Sequence, residues 1–361
     1  MRRIGLLTSG GDCQGLNTAL RGVAKALYEA TDQLTLIGFQ DGYRGLMVNE
    51  FRLMNPGDFS GLLTIGGTIL GTSRQPFKQV NQPLFPDQPD GPDKLTGMLQ
   101  TYEKQQLDGL VILGGNGTHK TAALLAEKGL NIITLPKTID NDLWGTDITF
   151  GFQSAVDIAT SVVDGIHTTA TSHGRIFVIE LMGHKAGWLT LHAGLAGGAD
   201  VILIPELPYR LEHVVRALDK RQSQQKRFSI IVVAEGALPA DENALPAKEK
   251  RNGQKSWRYP SIAYQLAHDL GDQTGQEIRV TVPGHFQRGG QPCPYDRVLA
   301  TTLGTAAAKM IGQNRYGFMV GLQNQQIVPV PLAQVAGKLK IVPQDSLLIR
   351  SAKALGVSFG C

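Results

Sequence analysis

Two rhythms of apolar residues alternate along the chain. Short continuous apolar runs at residues 3–8, 34–39, 110–113 and 131–134 read as strands. Between them helical spacing takes over: Leu16, Leu20, Val23, Ala24 and Leu27 share one face of a helix predicted over 17–29. Further helices are predicted up to about residue 106, on to about 128, and from beyond 151 to about 169. The second half keeps the rhythm, with strands at 175–181, 201–206, 228–234, 278–282 and 317–322, and helices at 211–224 and 298–311. Pro136 has no N–H for a sheet ladder, so the strand at 131–134 should end there. Residues 79–92, polar and proline-rich, read as a surface connection, 238–256 as a loop or insertion, and the end of the chain as a loose tail. No tandem repeat is present. The alternation predicts an α/β protein, doubly wound, with mainly parallel sheets.

Composition narrows the class. A chain of 361 residues is long enough for two lobes, and 42% apolar with 18% charged residues excludes a disordered polymer. No apolar run reaches the roughly 18 residues of a membrane span. The start, Met1-Arg2-Arg3-Ile4, runs straight into a strand, so no signal peptide and a cytoplasmic location are expected. Net charge is +4, but its densest run, Lys248-Glu249-Lys250-Arg251, contains an acid and reads as a solvated loop. Nucleic acid is therefore not expected as a partner, whereas small anions are. Cys13, Cys293 and Cys361 show no metal-ligand spacing and no disulfide framework.

The 43 glycines gather in short doublets at strand ends. Ser9-Gly10-Gly11-Asp12 and Gly114-Gly115-Asn116-Gly117-Thr118 each lie between a strand and a helix, an arrangement that aims backbone N–H groups at phosphate. Neither matches the glycine spacing of dinucleotide folds or P-loops. Arg74 closes a third glycine- and hydroxyl-rich loop, residues 66–74, and can fork onto a phosphate. At the end of the 131–134 strand comes Pro136-Lys137-Thr138-Ile139-Asp140-Asn141-Asp142. Its paired carboxylates suit proton acceptance and metal or phosphate orientation, although Asx-rich turns also arise from backbone bonding alone. His285 and Arg288 share a late glycine-flanked loop suited to anion contacts.

Taken together, these motifs resemble the 6-phosphofructokinase family. Thr8-Ser9-Gly10-Gly11-Asp12, Gly114-Gly115-x-Gly117-Thr118 and Pro136-x-Thr138-Ile139-Asp140-Asn141-Asp142 occur in family order. Met182-Gly183, Glu235, Gly284-His285-x-Gln287-Arg288-Gly289-Gly290 and Pro294-Tyr295-Asp296-Arg297 follow. The resemblance implies two lobes gripping a sugar phosphate: residues 1–150 with about 285–314 for nucleotide, and 151–284 with about 315–361 for sugar phosphate. The implied reaction moves the γ-phosphoryl group of Mg-ATP to the 1-hydroxyl of fructose 6-phosphate.

Residue by residue, Asp140 matches the catalytic base, with Thr138, Lys137 and Arg175 beside it. Gly11, Arg74, Gln75, Gly115, Asn116, Gly117 and Thr118 match the ATP side. Thr138, Ile139, Asp140, Arg175, Met182, Gly183, His184, Glu235, Arg279, His285, Phe286, Gln287 and Arg288 match the sugar-phosphate side. Arg175 and Arg279 match arginines supplied by a neighbouring subunit, which implies a homotetramer with shared sites. Magnesium is the implied cofactor, with Asn116 and Asp142 as its matches.

Three positions depart from the family pattern. Asn116 replaces the usual aspartate and is a weaker hard-cation ligand. His184, beside Lys185, replaces an arginine, and Pro56 replaces a basic residue of the effector site. For the donor, Gly117 leaves room that pyrophosphate users fill with aspartate, and this implies ATP; Lys137 is the residue pyrophosphate users carry. A pyrophosphate-dependent enzyme and a weakly active regulatory paralogue are the alternatives.

Overall fold

The computed structural model describes residues 2–241, 249–251, 254–256 and 260–361. In chain order they form β1 (Arg2–Ser9), α1 (Leu16–Ala30), β2 (Leu34–Phe39), α2 (Tyr43–Val48), β3 (Phe51–Met54), α3 (Lys94–Lys104), β4 (Gly109–Gly114), α4 (Asn116–Glu127) and β5 (Ile132–Pro136). Next come α5 (Phe152–His173), β6 (Ile176–Leu181), α6 (Trp188–Ala196), β7 (Val201–Leu203), α7 (Leu211–Ser223) and β8 (Ser229–Ala234). The remainder is β9 (Glu249–Arg251), β10 (Gln254–Ser256), α8 (Ile262–Thr274), β11 (Ile278–Thr281), α9 (Pro294–Gly312), β12 (Phe318–Gln323), β13 (Gln326–Pro331), α10 (Leu332–Val335) and α11 (Leu347–Ala354). The chain divides into two compact units. One holds Met1–Ile139, Leu143–Ser154 and Arg288–Leu339; the other holds Asp140–Asp142, Ala155–Gln287 and Lys340–Cys361.

The first unit is built on a seven-stranded sheet in the order β13-β12-β5-β4-β1-β2-β3. β1, β2, β4, β5 and β12 run parallel, while β3 and β13 pair antiparallel at the two edges. The central strands are buried almost throughout, which explains why they read as continuous apolar runs rather than alternating ones. Leu7, Ile37, Phe39, Leu110 and Ile112 pack with Tyr43, Leu46, Met98, Ala122 and Leu125 from α2, α3 and α4. Elsewhere in this unit α1 and α9 pack together at two glycines. A Cβ on Gly22 would lie 3.0 Å from the Thr301 carbonyl oxygen, and one on Gly304 2.6 Å from that of Ala19.

The second unit carries a parallel four-stranded sheet in the order β11-β6-β8-β7. Val178, Ile231 and Val233 pack against Val214 and Leu218 of α7 and Leu266 and Leu270 of α8. The outer edge of β7 is covered by the chain's own tail: Ser358 N donates to Asp200 O, and Ile202 N to Ser358 O, at 3.0 and 2.9 Å. That pairing satisfies edge groups that would otherwise invite another strand.

Several sequence expectations need correction. The tail is not loose: it forms β13, α10 and α11, and β12 pairs with β5 through Phe318↔Ile133. That pairing puts residues 315–339 in the first unit, so only Lys340–Cys361 of the expected 315–361 segment lies in the second. β7 stops at Leu203 rather than residue 206, where Pro205 removes a donor. Within the expected loop at 238–256, β9 and β10 pair antiparallel, while Lys248 lies outside the described residues. The sheets are mainly parallel, as expected, whereas α2, β3 and α8 had no predicted counterpart. None of the three cysteines forms a disulfide, and among the described residues no helix is long and apolar enough to cross a membrane.

The α1–α9 contact yields a stability prediction. Gly304→Ala should cost about 1–3 kcal/mol through backbone overlap, although helix propensity alone favours alanine by about 0.8–1 kcal/mol. Gly271→Ala in α8, where a Cβ meets nothing within 4 Å, should be neutral or stabilising. Urea-denaturation midpoints compare the two; equal effects would remove the packing explanation.

Candidate functional site

The order of the first sheet reverses at β1. From it the chain moves outward to β2 on one side and later returns to β4 and β5 on the other. Such a switch point opens a crevice at the carboxyl ends of the strands. Ser9 pairs with Gly114, and Gly114 with Pro136, so three strands end in one row. The three turns the sequence singled out therefore leave the sheet side by side.

These turns are stitched to one another and to the 66–74 loop. Gly10 N donates to Ser73 O at 3.0 Å, Thr72 Oγ1 to Gly10 O at 2.7 Å, and Ser73 Oγ to Asp41 O at 2.6 Å. Gly10 has φ +89°, a left-handed conformation that favours glycine. Lys137 is buried, its ammonium donating to Gly11 O while its backbone N–H donates to Gly114 O at 3.1 Å. Arg288 Nη1 donates to Asp12 O at 2.9 Å, and its guanidinium lies where a side chain on Gly11 would go. The arginine expected to hold the sugar's phosphate thus sits on the turn expected to hold nucleotide.

The turn after β4 opens directly into α4, with Gly115 as its N-cap. Thr118 Oγ1 donates to Ser9 O at 3.4 Å, and Asn116 Nδ2 to Lys338 O at 2.6 Å, which leaves the amide oxygen as the acceptor of that side chain. A Cβ on Gly117 would meet nothing within 4 Å. Its φ is ordinary, so the fold itself does not require glycine there. Behind the turn lies buried His119, whose Nδ1 bonds Gly115 O at 2.9 Å. Burial lowers its pKa to about 4, with the nearby Lys137 charge acting in the same direction and the Gly115 bond opposing. His119 is neutral at pH 7 and adds no charge to the turn. Desolvation likewise pushes the Cys13 thiol up to about 12, which makes it inert as a nucleophile. Arg74 is exposed, and Gln75 Nε2 is sheltered without a partner.

In the second unit, Asn141 adopts φ +50° and is buried between half-buried Asp140 and Asp142. Lys340 Nζ donates to Asn141 Oδ1, and Lys340 N to Asp142 O, both at 2.9 Å. At the carboxyl ends of β6 and β8, Gly183 N donates to Glu235 Oε1 at 3.5 Å and Glu235 N to Leu181 O at 2.9 Å. Gln287, fully buried, accepts from Met182 N at 3.2 Å and donates to Gly284 O at 3.0 Å, fixing the turn that carries exposed His285 and Phe286. Met182, Gly183, Glu235 and Gln287 are thus brought together. The side chains of His184 and Lys185 are exposed, while the His184 carbonyl lies 2.0 Å from where a Cβ on Gly236 would stand.

Arg175 and Arg279 are not part of that cluster. Both pair with one carboxylate, Glu277, at the amino ends of β6 and β11, with Arg175 Nε 2.5 Å from Glu277 Oε2. Seven residues of extended chain separate Arg175 from Met182, about 23 Å at about 3.3 Å per residue. Sequence reasoning missed Glu277 and Lys340, since a lone acid or lysine beside a strand carries no pattern. Among the described residues no group of three His, Cys, Asp or Glu side chains converges on a metal site. Asn116 in the first unit and Asp142 in the second each carry an oxygen donor of the hard class that divalent cations such as magnesium prefer.

Comparison with known proteins agrees with this geometry. The family model described as phosphofructokinase matches residues 3–311. The ATP-dependent 6-phosphofructokinase of Spirochaeta thermophila is 55% identical over 360 residues, covering 99% of this chain and 98% of that protein. Its namesake from Propionibacterium freudenreichii subsp. shermanii is 48% identical over 379 residues, covering 99% of each. Among solved structures, phosphofructokinase from Saccharomyces cerevisiae superposes with a TM-score of 0.77 at 29% identity, covering 93% of this chain and 45% of that one. The pyrophosphate-dependent phosphofructokinase from Marinobacter aquaeolei gives 0.80 at 21% identity, covering 99% and 92%, a likeness of fold. With the family's model matched across the span that holds all three strand-end turns, this chain belongs to the phosphofructokinase family.

Proposed function

We propose that this chain transfers the γ-phosphoryl group of ATP to the 1-hydroxyl of fructose 6-phosphate, yielding fructose 1,6-bisphosphate and ADP. The observation that carries the choice of donor is the open space at Gly117, in a turn that opens a helix and so suits a phosphate. Lys137 serves either donor, since a buried ammonium neutralises a transferred phosphoryl group whatever carries it.

Phosphoryl transfer needs positioning and charge stabilisation more than covalent help from the protein. In this reading Asp140 accepts the proton of the 1-hydroxyl as its oxygen attacks phosphorus. Thr138, Ile139, Met182, Gly183 and Glu235 orient the sugar, and His285 with Arg288 receives its phosphate. Gly11, Arg74, Gln75 and the turn from Gly115 to Thr118 hold the nucleotide. Arg175 and Arg279 lie at the wrong end of their sheet to serve Met182 and Glu235 of the same chain. We infer that they complete the site of a neighbouring copy in a homotetramer. Magnesium, when bound, neutralises phosphate oxygens, with Asn116 and Asp142 supplying oxygen ligands. A coupled assay for fructose 1,6-bisphosphate tests the reading. Absence of turnover with ATP and with pyrophosphate would leave a binding protein, and faster turnover with pyrophosphate would overturn the donor.

Asp140→Asn should lower kcat by about 10²–10⁴-fold while fructose 6-phosphate still binds, because the amide keeps the shape and loses the base. Near-full activity in that variant removes Asp140 from the role. Gly117→Asp should cut the ATP rate far more than any pyrophosphate rate. The turn accepts a side chain and an acid at a helix start is favourable, so the melting temperature should hold. An equal loss with both donors would count against exclusion of the nucleotide. Asn116→Asp restores a charged ligand and should lower the magnesium concentration giving half-maximal rate. An unchanged magnesium titration would take residue 116 away from the metal.

A further inference from the structure

The segment from Lys340 to Val342 belongs to the second unit and lies beyond the residues matched by the family model, which end at 311. It runs between two parts of that unit that the proposed chemistry uses. On one side is the Asp140–Asn141–Asp142 turn, which receives two hydrogen bonds from Lys340, one from its ammonium and one from its backbone N–H. On the other is the start of α6, just after the Met182–Gly183 loop. There Trp188 Nε1 donates to Lys340 O at 2.9 Å, and the Lys340 ammonium stands 5.7 Å from the centre of the Trp188 ring.

Glu206 fixes the same segment from behind. Its carboxylate accepts Val342 N at 2.8 Å and Gly187 N at 3.0 and 3.1 Å, so one acid binds both the segment and the residue before α6. A Cβ on Gly187 would lie 2.9 Å from that carboxylate, and glycine leaves the approach open. The position of Lys340 is therefore set by its neighbours before it reaches Asn141. This matters because Asn141 holds a left-handed backbone conformation, which asparagine tolerates better than most side chains but which is still less favourable than an ordinary one, so a fixed partner on its side chain helps to hold it. The backbone of Asp140 and Asp142, and so the root of each carboxylate side chain, is joined directly to that conformation.

We propose that Lys340 is a positioning residue for phosphoryl transfer, a strap that locks the left-handed Asn141 and thereby aims the Asp140 carboxylate at the substrate hydroxyl. The inference rests on the assignment of Asp140 as base. Lys340 touches neither proposed substrate in this scheme; it acts through the turn. A cation over an indole ring, a side-chain amide accepting from it and two main-chain bonds all pin one residue, more than covering a surface would require.

Lys340→Met keeps the side chain's length and the backbone bonds but removes the ammonium. The full-length enzyme carrying it should lose about 10- to 100-fold in kcat, the scale of a misplacement near 1 Å. KM for fructose 6-phosphate should stay within about twofold and the melting temperature close to wild type, a split that loss of mere packing would not give. Asn141→Gly, which reaches the same backbone conformation without the acceptor, should show the same split if Lys340→Met folds poorly. In an Asp140→Asn background, Lys340→Met should change the residual rate by less than about twofold, because no base remains to aim. Wild-type kcat in both Lys340→Met and Asn141→Gly, with Asp140→Asn inactive, overturns the strap and leaves the base assignment standing. An equal loss from Lys340→Met in both backgrounds also overturns the strap. A fully active Asp140→Asn overturns the base and the strap together.

Discussion

The register of the first sheet is the constraint on which the strand-end turns of the first unit depend. Because Ser9, Gly114 and Pro136 pair in one row, three chains leave the sheet together at the point where strand order reverses. A slip of one residue would carry every buried side chain to the opposite packed face, against partners it was not shaped to fit. Full burial of β4 and β5 therefore fixes where Gly115 and Lys137 emerge. The proposed chemistry inherits its geometry from packing that has nothing to do with ligand.

Within that row the local chemistry is arranged to keep one positive charge and few others. Lys137 buries an ammonium against the Gly11 carbonyl, whose dipole is one of the groups that hold its charge in place. The nearby imidazole of His119 is held neutral by burial and by the same ammonium, and the Cys13 thiol is kept protonated. Glycine is needed in this region for two separate reasons. Gly10 takes a left-handed backbone, and Gly11 gives up its side-chain volume to the Arg288 guanidinium. Gly117 has neither reason within the protein.

How much of this was legible in the sequence follows from what kind of interaction each part uses. The strands β1, β2, β4, β6 and β8 were readable because burial on both faces leaves an unbroken apolar run. The turns were readable because glycine doublets at strand ends have few other uses. β3 and β13 were not, since edge strands expose residues such as Arg52 and Gln326 and carry no continuous run. α9 was placed four residues late, because Pro294 at its start looks like a breaker yet is well suited to the first turn. Long-range partners were invisible for a deeper reason. Lys340 meets Asn141 across 199 positions of sequence, and nothing local in either residue announces the other.

The second sheet shows the same logic with the opposite outcome. In a parallel sheet all carboxyl ends point one way, so Met182, Gly183 and Glu235 collect at one end by topology alone. Arg175 and Arg279 stand at the other end, both held by Glu277, and no side-chain rotation carries a guanidinium across the roughly 23 Å of strand from Arg175, or the roughly 16 Å from Arg279, to the level of Met182. Two cations at one carboxylate leave a surplus positive charge on a half-exposed surface, where an isolated pair would contribute little to stability. Stability therefore does not explain the arrangement. What the arrangement does provide is two guanidinium groups held at a fixed spacing by Glu277, which supports the proposal that they serve an anion bound by a second copy.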